Sequence, residues 1–136
     1  MRVFLDANIL FSAAKSDGAV RLLLRLLGDA GHECWADGYV IEEARRNLSL
    51  KAPGSESALQ AVLERTKVSD LHPAGPAAEA LRALPEKDRP VLAAAVRSRC
   101  AALLTGDRTH FGLWFGKKLA GVAIHSPQTL AKALLQ

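Results

Sequence analysis

Short apolar runs alternate with longer helix-patterned stretches along the whole chain, and that alternation fixes most of what the chain can fold into. Arg2–Leu5 (RVFL) is a first strand and Glu33–Ala36 a second. Lys67–Leu71 is a third, weaker one, Ala101–Thr105 a fourth of the fully buried type, and Val122–His125 a last. Helical patterns lie between them. Asn8–Ala14 opens a short helix. Ser16 or Asp17 caps a second that runs through Ala30, with Val20, Leu23, Leu24 and Leu27 on one face and Gly31 as its stop. Asp37 caps a helix to about Leu50. Pro53, Gly54 and Ser55 break the chain before a helix at Ser57–Arg65. A loop at His72–Pro76 precedes a short helix at Ala77–Leu84. Pro85 sits in the first turn of a helix reaching about Arg99, and Ser126-Pro127 starts a last one that reaches Leu135. Strands separated by helices make right-handed crossovers and a parallel sheet. The expected fold is α/β: three layers, α/β/α, around a central mostly parallel sheet.

The 136 residues make one domain spanning 1–136. With 49% hydrophobic and 24% charged residues, disorder and a disulfide scaffold are excluded. The first apolar stretch stops at Asp6, too early for a signal peptide, and no run of ~18 apolar residues exists to span a membrane. The expected setting is therefore cytoplasmic, with no membrane partner. Cys34 and Cys100 belong to no CxxC pair and read as reduced core thiols. The net charge of +4 permits a polyanionic partner without demanding one.

The carboxylates are more telling. In a parallel α/β sheet, ligands bind beyond the carboxyl ends of the strands. Asp6 follows RVFL, Asp37 follows ECWA, and Asp107 follows ALLTG. Asp88 opens the apolar helix DRPVLAAAV. Glu43 shares a helix face with Tyr39 and Val40 and so points partly inward, while Glu42 is nearer the polar side with Arg45 and Arg46. Each acid has an ordinary reading: Asp6 as a helix cap, Asp107 as a turn residue, Asp88 as a dipole partner, Glu43 as a mate for Arg46. Together they are harder to dismiss. Asp6, Asp107 and the start of the Asp88 helix belong at one edge of the sheet, where clustered carboxylates repel unless a cation neutralises them. Hard divalent cations take such oxygen ligands, and their natural use is metal-assisted phosphodiester hydrolysis. A receiver-like phospho-acceptor is a poorer match, because its adjacent acid pair after the first strand is missing.

Four blocks in order, RVFLDANILFSA (Arg2–Ala13), VIEEARRNL (Val40–Leu48), KDRPVLAAAV (Lys87–Val96) and ALLTGDRTHF (Ala102–Phe111), resemble the signature blocks of the PIN domain family. That resemblance implies an α/β nuclease similar to the bacterial VapC-like toxins of toxin–antitoxin pairs. It implies Mg²⁺, with Mn²⁺ as the alternative ion, and RNA as substrate. It implies Asp6, Glu43, Asp88 and Asp107 as the catalytic, metal-holding acids, with Asn8, Ser12 and Thr105 supporting them. A cognate antitoxin and a homodimer are the implied protein partners. Two other readings stand beside it: a catalytically idle PIN-like module held for protein contacts, and a PIN nuclease acting on DNA.

Arg45 and Arg46 flank Glu43, Arg89 follows Asp88 and Arg108 follows Asp107, so all four are candidate RNA contacts. Ordinary solvated helix surface explains them too. His110 lies near Asp107 and is a candidate substrate contact, though a structural, hydrogen-bonded histidine is the better reading. Trp35 reads as core packing rather than a base-stacking platform. Leu22 and Leu26 exceed what one helix face needs for a core and are left for a partner, a second copy or an antitoxin segment.

Overall fold

The structure is a computed structural model that describes residues 1–69, 82 and 84–135. The expected loop at 72–76, most of the expected helix at 77–84, and the end of the third strand at Leu71 lie outside the described residues. In chain order the elements are β1 (Arg2–Leu5), α1 (Ala7–Lys15), α2 (Ala19–Asp29), β2 (Glu33–Asp37), α3 (Gly38–Lys51), α4 (Glu56–Glu64) and β3 (Thr66–Ser69). A 3₁₀ turn at Glu86–Asp88 leads into α5 (Arg89–Arg97). Then follow β4 (Ala102–Leu104), α6 (Arg108–Phe111), a 3₁₀ turn at Gly112–Trp114, β5 (Lys118–Leu119), β6 (Val122–His125) and α7 (Pro127–Leu134).

The strands form one six-stranded sheet in the order β3-β2-β1-β4-β6-β5. Every pairing is parallel except β5 with β6. Phe4 of β1 is level with Trp35 of β2 on one side and Leu103 of β4 on the other. Val3, Phe4 and Leu5 point alternately to the two faces and all are fully buried, as are Leu103 and Leu104. Helices must therefore cover both faces, which explains why these strands read as unbroken apolar runs. Among the described residues, no helix is long and apolar enough to cross a membrane.

The topology fixes where a site can form. From β1 the chain proceeds outward to β2 and β3, then returns to place β4 on the opposite side of β1. The strand order thus reverses between β1 and β4, and the crevice beyond their carboxyl ends is the ligand position of an open α/β sheet.

Local chemistry accounts for most element ends. Asp37 caps α3 by accepting from the Val40 amide at 3.1 Å, so this strand-end acid has a structural duty. Ser126 and Thr129 form a reciprocal capping box at α7. The second helix starts later than expected: Ser16 is extended, and Gly18 occupies the cap without a side-chain bond. The helix after Pro85 also begins later, because Glu86–Asp88 winds as a 3₁₀ turn and Pro90 sits in the first turn of α5.

Helices α2 and α5 close in the same way. The His32 amide donates to the Leu27 carbonyl at 2.9 Å and Gly31 to Gly28 at 3.1 Å. Likewise Cys100 donates to Ala95 at 2.9 Å and Arg99 to Val96 at 3.0 Å. Both are Schellman closures, which need one left-handed residue. Gly31 supplies it at φ 89°, but at α5 the residue is Arg99 at φ 57°. A side chain there costs about 1 kcal/mol or more, which glycine would relieve less its own entropic penalty. Arg99→Gly should therefore raise the unfolding free energy read from urea melts by about 0.5–1 kcal/mol, and β-branched Arg99→Val should lower it. Equal or reversed shifts would show that the closure does not control the end of α5.

Candidate metal-binding active site

The crevice between β1 and β4 is held by one polar joint. Asp6 ends β1 and caps α1, its Oδ1 accepting from the Ala7 amide at 2.8 Å. Its Oδ2 accepts from Thr105 Oγ1 at 2.8 Å and from Asn8 Nδ2 at 3.2 Å. Thr105 directly follows β4 and is fully buried. Asn8 also bridges the strands: its Nδ2 donates to Thr105 Oγ1 at 3.2 Å, and its Oδ1 accepts from the Gly106 amide at 2.7 Å. The Asp107 amide completes the joint by donating to Thr105 Oγ1 at 3.2 Å. Asn8 and Thr105 thus aim Asp6 and tie it to the loop carrying Asp107. Ser12, one turn along α1 from Asn8, lines the adjoining groove together with Asp107.

Asp107 caps α6, its Oδ1 accepting from the His110 amide at 3.1 Å. That cap folds the His110 ring back over the acid. His110 Nδ1 lies 2.8 Å from Asp107 Oδ2 and 2.9 Å from Asp88 Oδ2. Neither approach has hydrogen-bond geometry, and both Asp88 Oδ2 and His110 Nδ1 are buried atoms left without a hydrogen-bond partner. Asp88 itself is 8% exposed. The hydrogen bond expected of His110 is not made by Nδ1: the ring stands between two site carboxylates, an arrangement that sequence spacing from Asp107 alone does not specify.

Glu43 reaches the same crevice from α3. It is half-buried whereas Glu42 is exposed, as the helix register predicts. Its negative charge acts on both Asp6 and Asp88. Burial, reinforced by the charges of Glu43 and Asp88 and opposed by the Thr105 and Ala7 hydrogen bonds, pushes the Asp6 carboxyl up to about 6. Burial also raises Asp88, with Asp107 and Glu43 adding to the effect and His110 opposing it. Tyr39 belongs to the site although it was noted in sequence only as a face marker. Its hydroxyl donates to the Lys87 carbonyl at 3.2 Å, and its pKa is raised by burial and by Glu43, Asp88 and Asp6. Its position one helical turn before Glu43 was the available signal.

The basic candidates divide. Arg45 is engaged with Glu56 at 3.0 Å on the α3–α4 surface. Arg89 donates to the Leu84 carbonyl at 3.2 Å. Arg46 and Arg108 are exposed. Trp35, in the middle of β2, packs against the core, with the Arg2 guanidinium 4.5 Å above its ring. Cys34 and Cys100 are free, buried thiols that burial pushes up to about 11 and about 12. Leu22 and Leu26 are exposed on α2, about two-fifths of each being accessible.

Four carboxylates facing one crevice, two of them with raised pKa, favour a cation. Among the described residues, Asp88, Asp107 and His110 offer three ligand atoms within 4.8 Å of one another. The orphaned Asp88 oxygen is a further sign that the site fits a divalent ion.

Comparison with known proteins bears on the family and the fold. The family profile described as PIN domain matches residues 2–109. No curated protein matches the sequence. Eight chains of solved structures do. One is a chain in the crystal structure of VapBC2 from Rickettsia felis bound to a DNA fragment from their promoter. It superposes with a TM-score of 0.64 at 17% identity, over 93% of this chain and 98% of that one, so the likeness is one of fold.

The acids set a pH dependence. Between about pH 4 and 6 the folded chain keeps a proton on Asp6 that the unfolded chain releases. Stability from this group is therefore full at low pH and is lost as pH rises through about 6. Asp88 acts in the same direction. The loss from Asp6 is about 3 kcal/mol, or roughly 10 °C in Tm. In melts of the EDTA-treated chain, Tm should fall from pH 4 to pH 7, and Asp6→Asn should shrink that fall. An unchanged profile in the variant would show that Asp6 is not the buried acid responsible.

Proposed function

The chain belongs to the PIN domain family, and on that premise we propose that it is a divalent-metal-dependent ribonuclease acting as the toxin of a toxin–antitoxin pair. The observation that carries the reading is the convergence of Asp6, Glu43, Asp88 and Asp107 on the β1–β4 crevice, with Asp6 raised to about 6. Asp6, Glu43, Asp88 and Asp107 would hold the cation, Mg²⁺ or Mn²⁺. The chemistry such an ion supplies when bound is acidification of a water and stabilisation of charge on a phosphate.

The chain's own groups do the rest. Thr105 and Asn8 fix the Asp6 carboxylate so that it need not reorganise as charge develops. The buried floor of the crevice, formed by the ends of β1 and β4, keeps bulk water from one side of the acids and strengthens their fields. Exposed Arg108 and Arg46, each adjacent in helix or loop to a site acid, are placed to receive backbone phosphates. With four acids neutralised, 18 basic residues face only 10 other acids, so the surface becomes more attractive to RNA than the net charge of +4 indicates. The VapBC2 likeness supports an antitoxin partner, and the exposed Leu22 and Leu26 offer apolar surface for it or for a second copy of the chain. A cytoplasmic setting accords with that role.

Asp6→Asn and Asp107→Asn should each lower RNA cleavage by about 10²-fold or more without loss of the circular-dichroism signal, and EDTA should do the same to the wild type. Exposed Glu42→Gln should cleave normally. Wild-type cleavage by the Asp6 variant would overturn the mechanism. Preference for single-stranded or flap DNA over RNA in parallel assays would overturn the substrate.

A further inference from the structure

We propose that His110 is a nitrogen ligand in the metal site, and that it tilts the site away from Mg²⁺ toward borderline cations such as Ni²⁺. The inference rests on the metal reading of the four acids and adds to it a ligand of different chemistry. Its ground is the geometry of three atoms. His110 Nδ1 lies 2.8 Å from Asp107 Oδ2 and 2.9 Å from Asp88 Oδ2, yet neither contact is a hydrogen bond. A ring nitrogen packed within 3 Å of two carboxylate oxygens, with a hydrogen bond to neither, is an unfavourable arrangement. It leaves Asp88 Oδ2 and His110 Nδ1 both buried and unsatisfied.

A cation between the three atoms removes that conflict. Neighbouring ligands on an octahedral ion, each about 2.1 Å from it, stand about 3 Å apart. The two measured separations have that size. The Asp107 cap on the His110 amide fixes the short α6 turn, which places the His110 backbone beside the acids. Carboxylates alone suit Mg²⁺, whereas imidazole suits Ni²⁺, Fe²⁺ and Zn²⁺. One nitrogen among the oxygens therefore changes which ion the chain prefers without adding to the negative charge.

Calorimetry of Mg²⁺ and Ni²⁺ binding to the metal-stripped full chain tests this. A His32→Ala background removes the Met1 amine and His32 Nδ1, 3.0 Å apart, as a competing Ni²⁺ site. Relative to that background, His110→Ala should lower Ni²⁺ affinity by about tenfold or more and change Mg²⁺ affinity by less than about threefold. His110→Gln, which keeps the bulk and replaces nitrogen by an amide oxygen, should do the same. Pulsed electron paramagnetic resonance of Mn²⁺ bound to the unaltered chain should show coupling to a ¹⁴N nucleus. This readout needs no variant to fold, and it should vanish in His110→Gln. If both ions bind in an Asp107-dependent manner, but the His110 variants leave their ratio unchanged and no ¹⁴N coupling is seen, His110 is not a ligand. If neither ion binds and Asp107→Asn changes nothing, the metal reading of the acids falls with it.

Discussion

The hydrogen bond from Thr105 Oγ1 to Asp6 Oδ2 joins the carboxyl ends of two buried parallel strands, and the site is assembled outward from it. Asn8 spans the same two ends, and the Gly106 and Asp107 amides close onto Asn8 and Thr105. The backbone pairs β1 with β4, the Asp6 amide donating to the Leu104 carbonyl at 3.0 Å, and that joint adds side-chain bonds between the start of α1 and the loop that carries Asp107. It also provides hydrogen bonds to a carboxylate lodged where water is scarce. The compensation is partial, for Asp6 remains raised to about 6.

Strain of this kind recurs across the crevice. Asp88 is raised, Glu43 adds its field to two other acids, and His110 Nδ1 and Asp88 Oδ2 face each other unsatisfied. Elsewhere, the buried Arg97 Nε apart, the polar groups follow ordinary rules: Asp37 caps a helix, Ser126 and Thr129 cap another, and Glu33 at the start of β2 lies between Arg2 and Lys67. Departures from consistency gathered at one place mark function more reliably than any single acid does. They also mean that ion binding should stabilise the fold, since any group that neutralises the cluster removes a cost the folded chain alone bears.

Much of this was legible in sequence for definite reasons. Arg2–Leu5 and Val122–His125 match their expected strands, because an apolar run bounded by polar residues suffices to define a strand buried on both faces. Asp37 and Ser126 were readable caps because capping is local chemistry. Glu43 was separable from Glu42 by helix register alone. Gly18 in place of Ser16 as a cap was not readable, since several polar residues in a row offer the helix more than one start. Nor was β5, a two-residue antiparallel edge held by pairing with β6 rather than by any pattern of its own. The closure of α5 on Arg99, where glycine is usual, likewise had no local signal.

The sequence by itself determined the α/β class, the parallel sheet, the PIN family and which carboxylates stand at strand ends, because these follow from periodicity and from short contiguous motifs. Only the tertiary structure decided that β1 and β4 are neighbours, so that residues 99 apart share a hydrogen bond. It also decided that Arg45 turns to Glu56, that Tyr39 borders the acids, and that His110 stands between Asp88 and Asp107. Those are contacts between segments distant in the chain. Their geometry is set by strand order and loop closure, which no local spacing encodes.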